Sequence, residues 1–454
     1  MTELPSNPQD LRVPDPGIRA LFKTDSRWQA WLDVEVALAK AQAKIGMIPS
    51  NAAEEISKKA DLSLFDRQKL ADGFLRSGHT LTPLIWELDR LCEGDAGGYA
   101  HWGATTQNIV QTGDLLILRK ADAIFRKQLS ELLFVMADLA EQHAETTMAA
   151  RTHGQHAVPT TFGAKVAVWL DEISRHGIRL LEASPRVFRA MLGGAAGTLA
   201  SFGSDGFKLQ EVFAAELQMT AMAVPSRAEG DHLSEYVLLL GLMAATTGKI
   251  AREIYTLQKQ EFGELEEPTP EGSVGSSTMP QKRNPFMAQD IVALSSEIRM
   301  QVPLALEAMQ TEHEADRATS LQIRQATERA CVATGDMLAR MKIIISGLSV
   351  KPERMRQNLD LTGGLIMAEP VMLALGSSIG RQEAHDIVYD AAQAATLGQK
   401  SFADLLGADQ RISEKLSKND IKNLLNPLSY VGLSSELARR AASSARDTAT
   451  KLLS

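Results

Sequence analysis

Two cysteines in 454 residues, Cys92 and Cys331, lie too far apart in sequence to suggest a disulfide framework or a thiolate-rich metal centre. Aromatic residues make up only 5 %. No stretch alternates apolar and polar side chains for long enough to build a sheet, which excludes a β-sandwich or barrel. No apolar run approaches the length of a membrane span. The stretch from Met1 to Pro16 is polar and proline-rich and lacks a signal-peptide core. Positive charge is also in deficit: the net charge is −8 and the pI about 5.7, so no global basic field recruits nucleic acid or an anionic membrane. An anionic small molecule must then be held by local cations. These absences leave the expectation of a soluble, cytoplasmic protein with neither nucleic acid nor membrane as partner.

Apolar residues at intervals of three and four are what the chain has in quantity. A first helix is expected over 24–45, capped by Thr24 or Asp25, with Trp28, Trp31, Leu32, Val36, Leu38 and Ala39 at helical spacing. Asn108 or Thr112 should open the longest helix, where Leu118, Ala121, Phe125, Leu129, Leu132, Met136 and Leu139 form one stripe. Similar segments run over 162–192, 233–260, 286–310 and 321–348, with Pro303 expected to kink the fourth of the five. Gly363-Gly364 breaks the pattern, and shorter helices follow over 367–375 and 382–395. The expected fold is all-α, with three helical domains (1–108, 109–362 and 363–454) and a central bundle of five long helices. Helices of that length expose more apolar face than one chain covers, so association is expected.

Residues 275–285 read Gly-Ser-Ser-Thr-Met-Pro-Gln-Lys-Arg-Asn-Pro and follow an acidic, glycine-containing stretch. A serine hydroxyl on such a loop can approach a carbon acid. Lys282 and Asn284 can hold a carboxylate, one by charge and the other by its amide. Two further segments are candidates. Thr105-Thr106-Gln107-Asn108 precedes the longest helix, where hydroxyls and backbone N–H groups can bind an anion; taken alone, it reads more readily as an ordinary N-cap. Arg151-Thr152-His153-Gly154-Gln155-His156 gathers two imidazoles, a hydroxyl and an amide in a glycine-containing break between long helices. Gly193-Gly194-Ala195-Ala196-Gly197-Thr198 lacks the strand–turn–helix context of a nucleotide cradle, and close backbone packing is its expected use.

The signature at 275–285 resembles that of the fumarase/aspartase superfamily, and the resemblance extends over nearly the whole chain. It implies Ser276 as catalytic base, with Ser277, Met279, Lys282 and Asn284 contacting substrate. Thr105 and Thr106 correspond to a hydroxyl pair that contacts the substrate carboxylate. Thr152, His153 and Gln155 match the Thr-His-x-Gln pattern of adenylosuccinate lyase-like members, whose histidine protonates or positions the leaving group. The resemblance also implies a homotetramer whose sites each draw on three chains. No metal or organic cofactor is expected.

Two departures bear on the subfamily. Gln289 stands where many members pair a glutamate with the histidine; an amide can orient His153 but cannot stabilise imidazolium by charge. In the segment resembling a nucleotide-phosphate site, Ser320 and Arg324 match, but Ala315 stands where an arginine is expected. Near Asp231, Glu229 and Gly230 replace the usual Gln-Arg. Loss of these cations argues against AMP as product. Arg324 can instead hold a carboxylate on a smaller leaving group, or simply form an ion pair. Other stretches, including Gly380-Arg381-Gln382-Glu383-Ala384-His385, resemble the 3-carboxy-cis,cis-muconate cycloisomerases. The expected activity is β-elimination from a small dicarboxylate, a succinyl adduct such as an N-substituted aspartate, to give fumarate. The alternative is a muconate-type cycloisomerase sharing the same base. An inactive relative that keeps only the fold predicts erosion of the site, yet Ser276, Lys282, Asn284, His153 and Gln155 are all present.

Overall fold

The computed structural model describes residues 8–398 and 400–454. Helices dominate: α1 (Thr24–Lys44), α2 (Thr106–Gln142), α3 (Phe162–Val187), α4 (Asp231–Gln258), α5 (Phe286–Glu307) and α6 (Arg317–Gly347). The last five are the expected long helices, each within a few residues of the bounds read from periodicity. The stripe on α2 is the physical reason for its length. Leu118, Ala121, Phe125, Leu129, Leu132 and Met136 are all fully buried, so each added turn adds apolar area removed from water.

Two local expectations differ from what is found. Neither Thr24 nor Asp25 caps α1; Lys23 occupies that position and makes no side-chain cap. The helix is held instead by its buried face, including Trp31, Leu32 and Leu38. Helix α2 opens two residues earlier than Asn108, at Thr106. Pro303 lies inside α5 and does not end it, and Pro185 lies likewise inside α3.

The fold is all-α, with short strand pairs attached. The largest is a hairpin of β1 (Thr147–Thr152) and β2 (Gln155–Thr161), in the stretch expected only to be a break. Its two-residue turn is His153-Gly154, with φ of 52° and 78°. Positive φ at both central positions matches the twist of a tight hairpin; glycine takes it without strain, and histidine is among the residues that tolerate it. Threonines at 147, 152, 160 and 161 suit the extended backbone. The hairpin was missed because each strand is too short for an alternation to show. The other pairs are β3 (Arg189–Ala190) with β4 (Thr220–Ala221), parallel, and β5 (Leu265–Glu266) with β6 (Ser349–Val350), antiparallel.

The chain forms two compact units. One contains residues up to 128, 176–245 and 293–339; the other contains 129–175, 246–292 and 340–454. In the first, a core around Trp31, Leu38, Leu84, Ile109, Phe202 and Phe213 joins α1 to the start of α2. In the second, Val371, Leu375, Ile387, Phe402 and Leu406 form the core of the C-terminal helices. These follow Gly363 and Gly364, both at positive φ. Several large apolar side chains on the long helices stay exposed, among them Val168, Leu242 and Met300 at 57, 53 and 69 %. No single helix among the described residues is long and apolar enough to cross a membrane.

Candidate functional site

The second unit carries the signature loop and the hairpin. The loop is closed at its base by Glu267, whose buried carboxylate accepts from the Met287 and Ala288 N–H groups at 3.1 and 3.0 Å. That carboxylate caps the start of α5, where the unpaired N–H groups and the helix dipole favour negative charge. Burial nevertheless pushes its carboxyl above the ordinary range. Outside this closure, Arg283 pairs with Glu266 at 2.7 Å, and Lys351 holds the other Glu266 oxygen at 2.6 Å. Burial alone would raise the Glu266 carboxyl, but the two cations outweigh it and hold it low.

A second, inner closure shapes the signature itself. Asn284 Nδ2 donates to the Gly275 carbonyl at 2.6 Å, and Lys282 N–H donates to the Met279 carbonyl at 3.0 Å. A Cβ at position 275 would lie 2.1 Å from the Lys282 carbonyl oxygen, so only glycine lets the loop close. Within the loop, Ser276 Oγ accepts from the Met279 N–H at 3.1 Å and more weakly from the Thr278 N–H at 3.4 Å. Two backbone donors aimed at one oxygen favour that oxygen as an anion. Ser277, Thr278, Met279 and Lys282 are exposed, and the Lys282 ammonium makes no ion pair among the described residues.

The hairpin is bolted to the segment that leads into this loop. Arg151 makes a two-pronged pair with Glu264, at 3.0 and 2.5 Å, and Asn358 Nδ2 donates to the same carboxylate at 2.7 Å. Glu264 is fully buried, and the Arg151 guanidinium also sits 5.0 Å from the Phe262 ring centre. His156 pairs with Arg151 across the hairpin, and burial and the Arg151 charge lower its pKa from the ordinary value. At the tip, Thr152, His153 and Gln155 are exposed and their side chains make no hydrogen bond among the described residues. No bond joins Gln289 to His153; Gln289 is exposed, while Asp290 faces Arg340 at 3.5 Å.

The first unit carries the remaining candidates. Thr105 and Thr106 stand at the start of α2, and Asn108 holds Thr105 in place. Its Oδ1 accepts from the Thr105 and Gly194 N–H groups, both at 3.1 Å, and Nδ2 donates to Met191 Sδ at 2.9 Å. The glycine turn at 193–198 thus packs by backbone against the head of α2, as expected. His79 went unread in the sequence: its Nε2 lies 3.4 Å from Thr106 Oγ1. Its Nδ1 accepts from the Leu81 and Thr82 N–H groups at 3.3 and 3.1 Å, so the neutral ring carries its proton on Nε2. A histidine just after the left-handed Gly78 that ends a helix was the available signal.

A cleft open to solvent lies in the same unit and is lined by Arg27, Gln107, Asp114, Arg227, Glu229 and Arg324, with Ser320 beside them. Arg324 donates to Asp114 at 3.0 Å, so it takes the ion-pair role left open by its sequence context. Ser320 Oγ donates to the Asp316 carbonyl at 2.8 Å. No group of His, Cys, Asp and Glu able to hold a metal ion occurs among the described residues.

The family model described as "Lyase" matches residues 10–299, and that described as "Adenylosuccinate lyase C-terminus" matches 364–441. Adenylosuccinate lyase of Methanocaldococcus jannaschii is 36 % identical over 95 % of this chain and 94 % of its own length. N-acetyl-S-(2-succino)cysteine lyase of Enterococcus italicus is 36 % identical over 92 and 91 %. Among solved structures, the 3-carboxy-cis,cis-muconate lactonizing enzyme of Pseudomonas putida superposes with a TM-score of 0.88 at 32 % identity, covering 97 % of this chain and 99 % of that one. The chain is an enzyme of the lyase family within the fumarase/aspartase superfamily.

Proposed function

We propose that the protein releases fumarate from a succinyl adduct, an N-substituted aspartate, by β-elimination with C–N cleavage. Ser276 Oγ takes the proton from the carbon β to nitrogen. The electron pair left on carbon spreads onto the adjoining carboxylate as an aci-carboxylate, then forms the C=C bond as the C–N bond breaks. The leaving nitrogen gains its proton from His153, which Thr152 and Gln155 orient. The aci-carboxylate is held by Lys282, Asn284, Thr105 and Thr106, with Ser277 and Met279 against the substrate. Holding that doubly charged species is the main electrostatic task, worth about 3 kcal/mol for each well-placed donor.

The observation that carries this reading is the pair of backbone N–H groups aimed at Ser276 Oγ, on a solvent-facing loop beside a free ammonium. An unaided serine hydroxyl is too weak an acid to be a base's conjugate near neutral pH. Donors fixed on its oxygen lower the cost of the alkoxide. The exposed tips of the hairpin and the loop, and the apolar faces left on the long helices, support a homotetramer in which different protomers complete each site. In this reading the protomer has three domains, 1–108, 109–362 and 363–454, and Ser320 and Arg324 face the leaving group.

Fumarate absorbance provides the test, read in both directions with fumarate plus amines and with the corresponding adducts. Ser276→Ala should abolish turnover by about a thousandfold or more while leaving helicity and assembly unchanged. An active Ser276→Ala variant overturns the base. The likeness to the lactonizing enzyme favours one competing reading, cycloisomerisation of a muconate. Turnover of 3-carboxy-cis,cis-muconate with no reaction of fumarate and amines would establish that reading instead.

A further inference from the structure

The signature loop carries two adjacent cations, Lys282 and Arg283, and by charge either can hold a carboxylate. The structure commits only one of them. Arg283 Nη1 donates to Glu266 Oε1 at 2.7 Å, while Lys282 makes no ion pair among the described residues. The next residue, Asn284, turns to the Gly275 carbonyl. Arg283 is thus tied to the strand that enters the loop and Asn284 to the loop itself. Lys282, immediately before them, is left open. The anchor for Arg283 is a fixed point. Glu266 ends β5, which pairs with β6, and Glu264 two residues earlier is buried and held by Arg151 and Asn358. Lys351, just beyond β6, takes the second Glu266 oxygen at 2.6 Å. The Glu266 side chain is 18 % exposed, against 65 % for Arg283. A carboxylate set at the root of the loop therefore receives a guanidinium that would otherwise face solvent.

We propose that Glu266 is a positioning residue for the reaction: by anchoring Arg283 it makes Lys282 the loop's free cation and fixes the stretch from which Lys282 and Asn284 meet the substrate. This rests on the function proposed above in placing those two side chains on the substrate carboxylate. Without the anchor, Arg283 becomes a second, unaligned cation beside Lys282, and a carboxylate can settle on either. The charge needed for binding is then still present, but its alignment with the Ser276 hydroxyl is lost. An ion pair with so exposed a partner adds little to global stability, so its removal should be felt in the loop and not in the unfolding of the protein.

Two measurements on the full-length protein test this. Backbone amide exchange of the peptide covering 275–285, read by mass spectrometry, follows the anchor without any need for turnover. Glu266→Gln and Arg283→Gln should each speed that exchange about fivefold, the upper range for one exposed ion pair, and the double variant should go no further. Arg283→Lys keeps the charge and should recover most of the protection. Kinetics then follow the consequence, by loss of fumarate absorbance with 1,2-diaminoethane, β-alanine or AMP as nucleophile. On the amine that reacts, each Gln variant should lose about tenfold in kcat with a smaller change in KM, again without addition in the double variant, and circular dichroism should show the helices intact. Unchanged exchange in both single variants, or additive effects in the double, overturns the anchor. Faster exchange with unchanged kcat overturns its part in positioning. If wild-type protein consumes no fumarate with any of the three amines, the elimination fails instead, and the exchange measurement still decides the anchor.

Discussion

The base of one hairpin's turn and its tip, one residue apart, use their hydrogen-bonding capacity in opposite ways. At the base, the two oxygens of Glu264 are taken by Arg151 and Asn358 in a buried setting. At the tip, Thr152, His153 and Gln155 stand exposed with every side-chain donor and acceptor free. In the other unit Asn108, likewise buried, is engaged through both its side-chain oxygen and its nitrogen. Polar groups that hold a fold are satisfied within it, because an unpaired buried group costs free energy. Polar groups that act on a ligand are kept open for it.

Substitutions at base and tip should therefore separate stability from activity. The largest effect on stability is expected at the base. Arg151→Met strands the Glu264 carboxylate in an apolar setting and should cost about 3 kcal/mol in urea unfolding. A loss below about 1 kcal/mol would show the pair to be incidental. On the signature loop the pattern reverses: Lys282→Met should lower kcat/KM by about 100-fold with the unfolding midpoint unchanged. A stability loss matching the activity loss would erase the distinction between the two sets.

Asn108→Ala should fall between them, costing about 2 kcal/mol because the Gly194 N–H loses its acceptor in a buried site. Thr105 is held by the same residue, so on the proposed function substrate affinity should weaken alongside. Unchanged KM in that variant would detach Asn108 from the positioning of the hydroxyls.

The smallest effect concerns His101, whose Nδ1 lies 2.7 Å from the buried Glu35 carboxylate just upstream of Thr105. Burial would lower its pKa, but the Glu35 partner outweighs burial and raises it above the ordinary value of 6.5. A histidine stabilised in its charged form contributes fully below the unfolded pKa and loses that contribution as pH rises through the folded one. The melting temperature should therefore fall more between pH 6 and pH 8.5 in the wild type than in His101→Gln. Parallel slopes would remove the pair from the account of pH dependence.

Much of the fold was legible without coordinates, for one reason. Helical periodicity is local, and on α2 every residue of the predicted stripe from Leu118 to Met136 is buried. The hairpin was not legible, since strand pairing joins residues on opposite sides of a turn and neither strand is long enough to signal itself. The helix start at Thr106 was missed by two residues because the cap depends on a contact from Asn108 and on the glycine turn more than 80 residues away.

For the site, the sequence alone singled out the side chains proposed to carry the chemistry, because a serine hydroxyl, a cation and an amide occur together in the string 275–285 and match a known signature. It also showed that cations are missing where a phosphate would bind. Only the tertiary structure decided how each group is committed: Arg324 to Asp114, Asn284 to Gly275, and the Ser276 oxygen to two backbone donors. Whether a charge is compensated depends on what lies within a few ångströms of it in space, and distance in space is not encoded in spacing along the chain.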